Sequence, residues 1–148
     1  MTSILANYIS SNDQETQAVA LRWVSSFLIL AKTTMLPFTP LILESILPTL
    51  SHSIPAIRSL AIDANTNLFT LVMEFVGVVK VYNDVQNTTQ ENPFDIFSTV
   101  STLMQQCQHQ NEDTRIGALE WLVMLHKKYP KQVPYPKLLF TILCVCRS

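Results

Sequence analysis

Thr16-Gln17-Ala18-Val19-Ala20-Leu21-Arg22-Trp23 and Thr114-Arg115-Ile116-Gly117-Ala118-Leu119-Glu120-Trp121 carry threonine, Ala-Leu and tryptophan at the same offsets. Between them, Ile57-Arg58-Ser59-Leu60-Ala61 again places a polar residue three before an alanine. Positions 17, 58 and 115 lie 41 and then 57 residues apart. The first interval falls in the roughly 40–47 residue range of two-helix solenoid repeats, and the second fits once about 16 residues are assigned to an insertion. The repeated alanine has a physical purpose, because a small side chain where two helices cross lets their axes approach to about 8–10 Å. The tryptophan three residues later is then expected to fill the space between neighbouring repeats. An ordinary helical bundle with fortuitous similarity is the competing reading. The alternation of shorter and longer helical segments argues against it.

Working outward, residues 12–32 read as a helix, with Asn12 as N-cap and Glu15 three residues on. Val19, Ala20, Trp23, Phe27 and Leu30 form its 3.6-residue stripe. Thr39-Pro40 reads as cap plus first helical residue of a shorter helix, with Leu43, Ile46, Leu47 and Leu50, stopping near His52 and Ser53. Pro55 opens a long helix whose stripe runs Ile57, Leu60, Ala61, Ala64, Leu68, Val72, Phe75, Val76 and Val79. The β-branched run 76–81 continues the helical step, so helix is expected to about Tyr82, with a strand as the alternative. Residues 84–92 are polar, a loop or insertion. Asn92-Pro93 then reads as the start of a helix with Phe97, Val100, Leu103 and Met104 on one side. Asn111, with Glu112 and Asp113 where the helix dipole favours acids, starts the last long helix, which ends in Lys127 and Lys128 where it favours bases. A short apolar helix is expected after Pro136.

Of 148 residues, 48% are hydrophobic and 14% charged, with a formal net charge of −1. No field pulls a polyanion toward the molecule, so nucleic-acid binding is not expected. The chain has 2 glycines, too few for a phosphate-cradling loop or for the repeated turns of a sandwich or barrel. A mean hydropathy of +0.23 raises the question of a membrane span. The apolar run 23–31 stops at Lys32, Pro37 and Pro40 interrupt the stretch after it, and 138–146 is about half the roughly 18 residues a span needs. Without a basic, apolar, small-residue leader at its start, the chain is expected to be soluble and intracellular. Three cysteines, Cys107, Cys144 and Cys146, lack framework spacing and fit a reducing compartment. Asn87-Thr88-Thr89 matches a glycosylation acceptor and is expected to stay unmodified.

Little looks catalytic. There is no Gly-x-Ser-x-Gly elbow, no His-Glu-x-x-His and no Gly-rich nucleotide loop, and His52, His109 and His126 are scattered. Cys107-x-His109 and Cys144-x-Cys146 are spaced two apart, which on a helix turns side chains about 200° away from each other, so no metal site is expected. Glu112 and Asp113 suit dipole and capping duty better than acid/base work. The basic cluster Lys127, Lys128, Lys131 and Lys137, interleaved with Tyr129 and Tyr135, is a candidate contact for an acidic partner or a phosphoinositide-bearing membrane. Its ordinary reading is a solvated helix end.

Asn12-Asp13-Gln14-Glu15-Thr16-Gln17, Leu21-Arg22-Trp23, Phe27, Leu30-Ala31, Met35-Leu36-Pro37, Ile42-Leu43 and Leu47-Pro48-Thr49-Leu50 resemble a segment of the Vac scaffold family. Thr114-Arg115-Ile116, Ala118-Leu119 and Trp121-Leu122 resemble the family's next block. Together they cover about half the chain and fall on the family's middle portion, so no partner-binding residue transfers to a position here. The resemblance implies the HEAT-repeat subunit of the complex that makes and turns over phosphatidylinositol 3,5-bisphosphate. Such a subunit is a non-enzymatic, self-associating scaffold without cofactors, which holds a FYVE-domain lipid kinase and a Sac-type lipid phosphatase on vacuolar or endolysosomal membranes. The expectation is therefore an all-α, HEAT-type solenoid: a right-handed superhelix of antiparallel helix pairs forming one array over residues 1–148. A generic HEAT-type transport or coat adaptor is the alternative. A small helical enzyme using Cys107, His109 or the Glu112-Asp113 pair is a weaker third reading.

Overall fold

The computed structural model describes residues 2–77, 79–80 and 94–133. Six α-helices carry these residues: α1 (Thr2–Ile9), α2 (Gln14–Ala31), α3 (Thr39–Thr49), α4 (Pro55–Glu74), α5 (Ile96–Gln106) and α6 (Glu112–Lys128). A 3₁₀ turn, Lys32–Phe38, joins α2 to α3, and the short strands β1 (Val79–Lys80) and β2 (Phe94–Asp95) pair in parallel between α4 and α5. The fold is mostly helical, as expected. Helices α1, α3 and α5 pack on one another in order, and α2 packs on α4 and α4 on α6. Each even helix also touches the odd helix before it. Odd-numbered helices thus make one layer and even-numbered helices the other, with a single apolar core between them.

The repeated octamer has a structural counterpart. Helices α2, α4 and α6 begin at Gln14, Pro55 and Glu112, and their N-cap residues are Asp13, Ile54 and Asn111, again 41 and 57 residues apart. In each preceding turn a side chain accepts the N–H of the cap residue: Ser11 Oγ from Asp13 (3.1 Å), His52 Nδ1 from Ile54 (3.1 Å) and His109 Nδ1 from Asn111 (3.2 Å). Equivalent chain positions therefore do equivalent work. The three alanines Ala20, Ala61 and Ala118 are all buried. Gly117 lets α6 approach α3, since a Cβ there would sit 2.9 Å from Leu50 Cδ1 and 3.3 Å from Leu47 Cδ2. Thr114 ties the same helices, donating to the Leu47 carbonyl (3.0 Å) and meeting Ser51 Oγ at 2.8 Å.

Several expectations are corrected. The N-cap of α2 is Asp13, whose carboxylate accepts the Thr16 N–H (2.9 Å) and hydroxyl, in place of Asn12. The core face of α2 is Gln17, Ala20, Leu21, Val24 and Leu28, so Trp23 is 54% exposed and not in the core. Helix α4 stops at Glu74, short of Tyr82, and the chain is in strand at Val79–Lys80. Helix α5 starts at Ile96 with Asp95 as its cap, accepting from Ser98 N–H (3.0 Å), and Phe97 lies on its exposed side. Residues 84–92, Asn92, Pro93, Cys144, Cys146, Tyr135, Lys137 and the helix expected after Pro136 lie outside the described residues.

Read as one helical stretch, Gln14–Thr49 reaches a mean hydropathy of 1.5 over 18 residues, apolar enough to cross a bilayer. Lys32, at φ 42°, and the 3₁₀ turn containing Pro37 divide that stretch. Leu21, Val24 and Leu28 on one side of the break, and Ile42, Leu43 and Ile46 on the other, enter the core instead.

Candidate functional site

The basic turn at the end of α6 is divided by the fold. Lys128 reaches 56 residues back and donates from Nζ to the carbonyls of Val72 (2.6 Å) and Met73 in the last turn of α4. Those carbonyls are among the four that a helix leaves without an internal partner, and they carry the negative end of its dipole. Burial lowers the Lys128 pKa, and its ammonium also lies 5.6 Å from the Tyr129 ring centroid. Lys127 and Lys131 are exposed. Replacing Lys128 by methionine should destabilise the fold by about 1 kcal/mol. The same change at Lys127 should stay within about 0.5 kcal/mol. Equal effects in urea unfolding would refute the cap.

Beside this turn, α4 and α6 enclose a cleft of about 1010 Å³ walled by Phe69, Met73, Val76, Ile116, Leu119 and Val123, with Glu120 and Lys127 at its polar edge. A second groove of about 610 Å³ lies between α1 and α2, over Leu5, Tyr8, Val19, Trp23 and Phe27. The Trp23 and Phe27 rings pack against each other at 5.7 Å between centroids. Both concavities are apolar, suited to taking up helices or apolar side chains. Sequence reasoning missed the second groove because it placed Trp23 inside; the duplicated tryptophan was the signal that could have found it.

The candidate catalytic residues are not brought together. Cys107 is buried, and burial pushes its thiol up to about 11 from 9.0, so the nucleophilic thiolate is suppressed. His109 is occupied in its turn, and Glu112 and Asp113 are exposed in the first turn of α6. Among the described residues no group of three or more His, Cys, Asp or Glu side chains is placed to hold a metal. In a Cys144→Ser, Cys146→Ser background, Cys107 should resist a thiol reagent at pH 8 until the protein is unfolded. The unfolded thiol ionises before the folded one, so Cys107 should also make stability fall as pH rises from about 9 to about 11. Rapid modification of the native protein would contradict its burial.

Over 125 residues, 84% of its length, the chain is 28% identical to the Protein VAC14 homolog of Schizosaccharomyces pombe. It is 28% identical over 131 residues to the Vacuole morphology and inheritance protein 14 of Saccharomyces cerevisiae, covering 88% of the chain. The chain is similar to Vac14. A third Vac14 relative, the Protein VAC14 homolog of Arabidopsis thaliana, is 27% identical over 133 residues, or 90% of the chain. The likeness to Vac14 thus extends well beyond the two blocks quoted from the sequence, and bears out the resemblance they carried. The chain spans 14–16% of the length of these Vac14 relatives. No family model matches the chain, and no solved structure matches it.

Proposed function

We propose that this chain is a HEAT-type segment of a non-enzymatic scaffold that supports phosphatidylinositol 3,5-bisphosphate synthesis and turnover. Similarity to Vac14 proteins along 84–90% of the chain carries this reading. The layered contacts, in which each helix meets the next-but-one, suit a short solenoid whose function is spread over surfaces. The partners are a FYVE-type lipid kinase and a Sac-type lipid phosphatase, self-association adds further copies, and attachment to the vacuolar or endolysosomal membrane is peripheral and through those partners. Among the described residues, exposed Lys127 and Lys131 are those of the basic cluster left to meet an acidic partner or headgroup.

Affinity capture of the full chain from its source organism tests the reading. Co-purification of a phosphoinositide kinase and a lipid phosphatase is expected. Recovery of transport receptors or coat subunits, with neither lipid enzyme, would replace it with the generic adaptor.

A further inference from the structure

The three even helices carry one stripe at equivalent positions. On α4 it is Ile57, Ala61, Ala64 and Leu68, and on α6 Thr114, Ala118, Trp121 and Leu125; all eight residues are buried. On α2 the stripe is Thr16, Ala20, Trp23 and Phe27, at the same 41 and 57 residue intervals, yet Trp23 is open and Thr16 and Phe27 are half-buried. The side of α2 that meets α4 is a different one, marked by Ser25, whose Oγ accepts from Asn67 Nδ2 at 2.6 Å. Successive helical residues turn by about 100°, so Trp23 and Phe27 point about 160° from Ser25 on either side. Among the described residues, only α1, α2 and the cap residue Asp13 between them line the groove over them.

The covered copy shows what such a stripe receives. Trp121 lies against the preceding even helix, donating its indole N–H to Asn65 Oδ1 (2.8 Å) and meeting Phe69 edge-on at 5.0 Å between centroids. A carboxamide and an aromatic ring one helical turn apart are the two features that hold the tryptophan. We propose that the α1/α2 groove is a docking site for an α-helix presenting the same pair, Asn-x-x-x-Phe or its like, with Trp23 as the anchor. The helix continues the α2–α4–α6 layer on its open side. Leu30, exposed where α6 has Lys128, lengthens the apolar stripe and caps no carbonyl. The inference rests on the equivalence of α2 and α6 and is independent of any lipid pathway.

The test uses the full chain and a hydrocarbon-stapled peptide of the α4 sequence, Pro55–Glu74, as probe. Saturable binding is expected, with a blue shift of tryptophan emission as Trp23 leaves water. Trp23→Ala, which should melt like the parent, should weaken binding about tenfold or more, as should Asn65→Ala with Phe69→Ala in the peptide. Equal affinity for Trp23→Ala, or no binding at millimolar peptide, would overturn the site. A chain that ignores the peptide but dimerises through Trp23 would overturn the choice of occupant in favour of a second copy.

Discussion

Trp121→Ala should destabilise the protein by about 3–5 kcal/mol, whereas Trp23→Ala should change stability by less than about 1 kcal/mol. The two tryptophans share a helical position and a flanking sequence, but Trp121 is fully buried and Trp23 is 54% exposed. Removing the indole at 121 leaves a cavity between α4 and α6, strips Phe69 of its edge-on partner and frees the Asn65 carboxamide. A loss of that size is a large part of the roughly 5–15 kcal/mol that holds a domain folded. Trp121→Phe keeps most of the ring contact and loses the hydrogen bond, so it should fall near about 1–2 kcal/mol. Urea unfolding of the four proteins decides the matter. Matching losses at 23 and 121 would refute the placement of both side chains.

Leu47→Ala should cost about 2–5 kcal/mol, and Gly117→Ala added to it should restore about 1 kcal/mol. Leu47 is fully buried on α3, facing the one point where α6 has no side chain. In the parent, a methyl at 117 would crowd Leu50 Cδ1 at 2.9 Å and Leu47 Cδ2 at 3.3 Å, so the clash should cancel the helix propensity gained over glycine. With Leu47 shortened, the Leu50 methyl has somewhere to go, and the new methyl fills part of the hole. A double-mutant cycle should therefore show favourable coupling between the two substitutions. Strict additivity would mean that α3 and α6 do not meet at these residues.

The starts of α4 and α6 were legible in the sequence because their causes are local. Pro55 fits the first turn of α4, and acids fit the first turn of α6. The face of α2 was misread for a physical reason. Ala20-Leu21, Trp23-Val24 and Phe27-Leu28 are consecutive apolar pairs, so two stripes one residue apart satisfy the same period, and only the neighbouring helices select between them. The end of α4 was overextended because valines stepping at helical intervals look the same whether or not a distant strand claims them. In the fold, Val79 pairs with Phe94. The basic turn was visible as a charge pattern, but the separation of Lys128 from Lys127 depends on carbonyls more than fifty positions upstream.

The parallel pairing of β1 with β2 brings the chain's departure after α4 and its return before α5 to roughly 5 Å apart, the spacing of adjacent strands. Helix α5 begins immediately after that return, at Ile96. The exit from α4 and the entry to α5 are therefore held against each other by the pair itself. An epitope or a fluorescent domain with neighbouring termini, grafted between the two strands, should leave the register of the helices as it is, because the pair holds the two points where it joins.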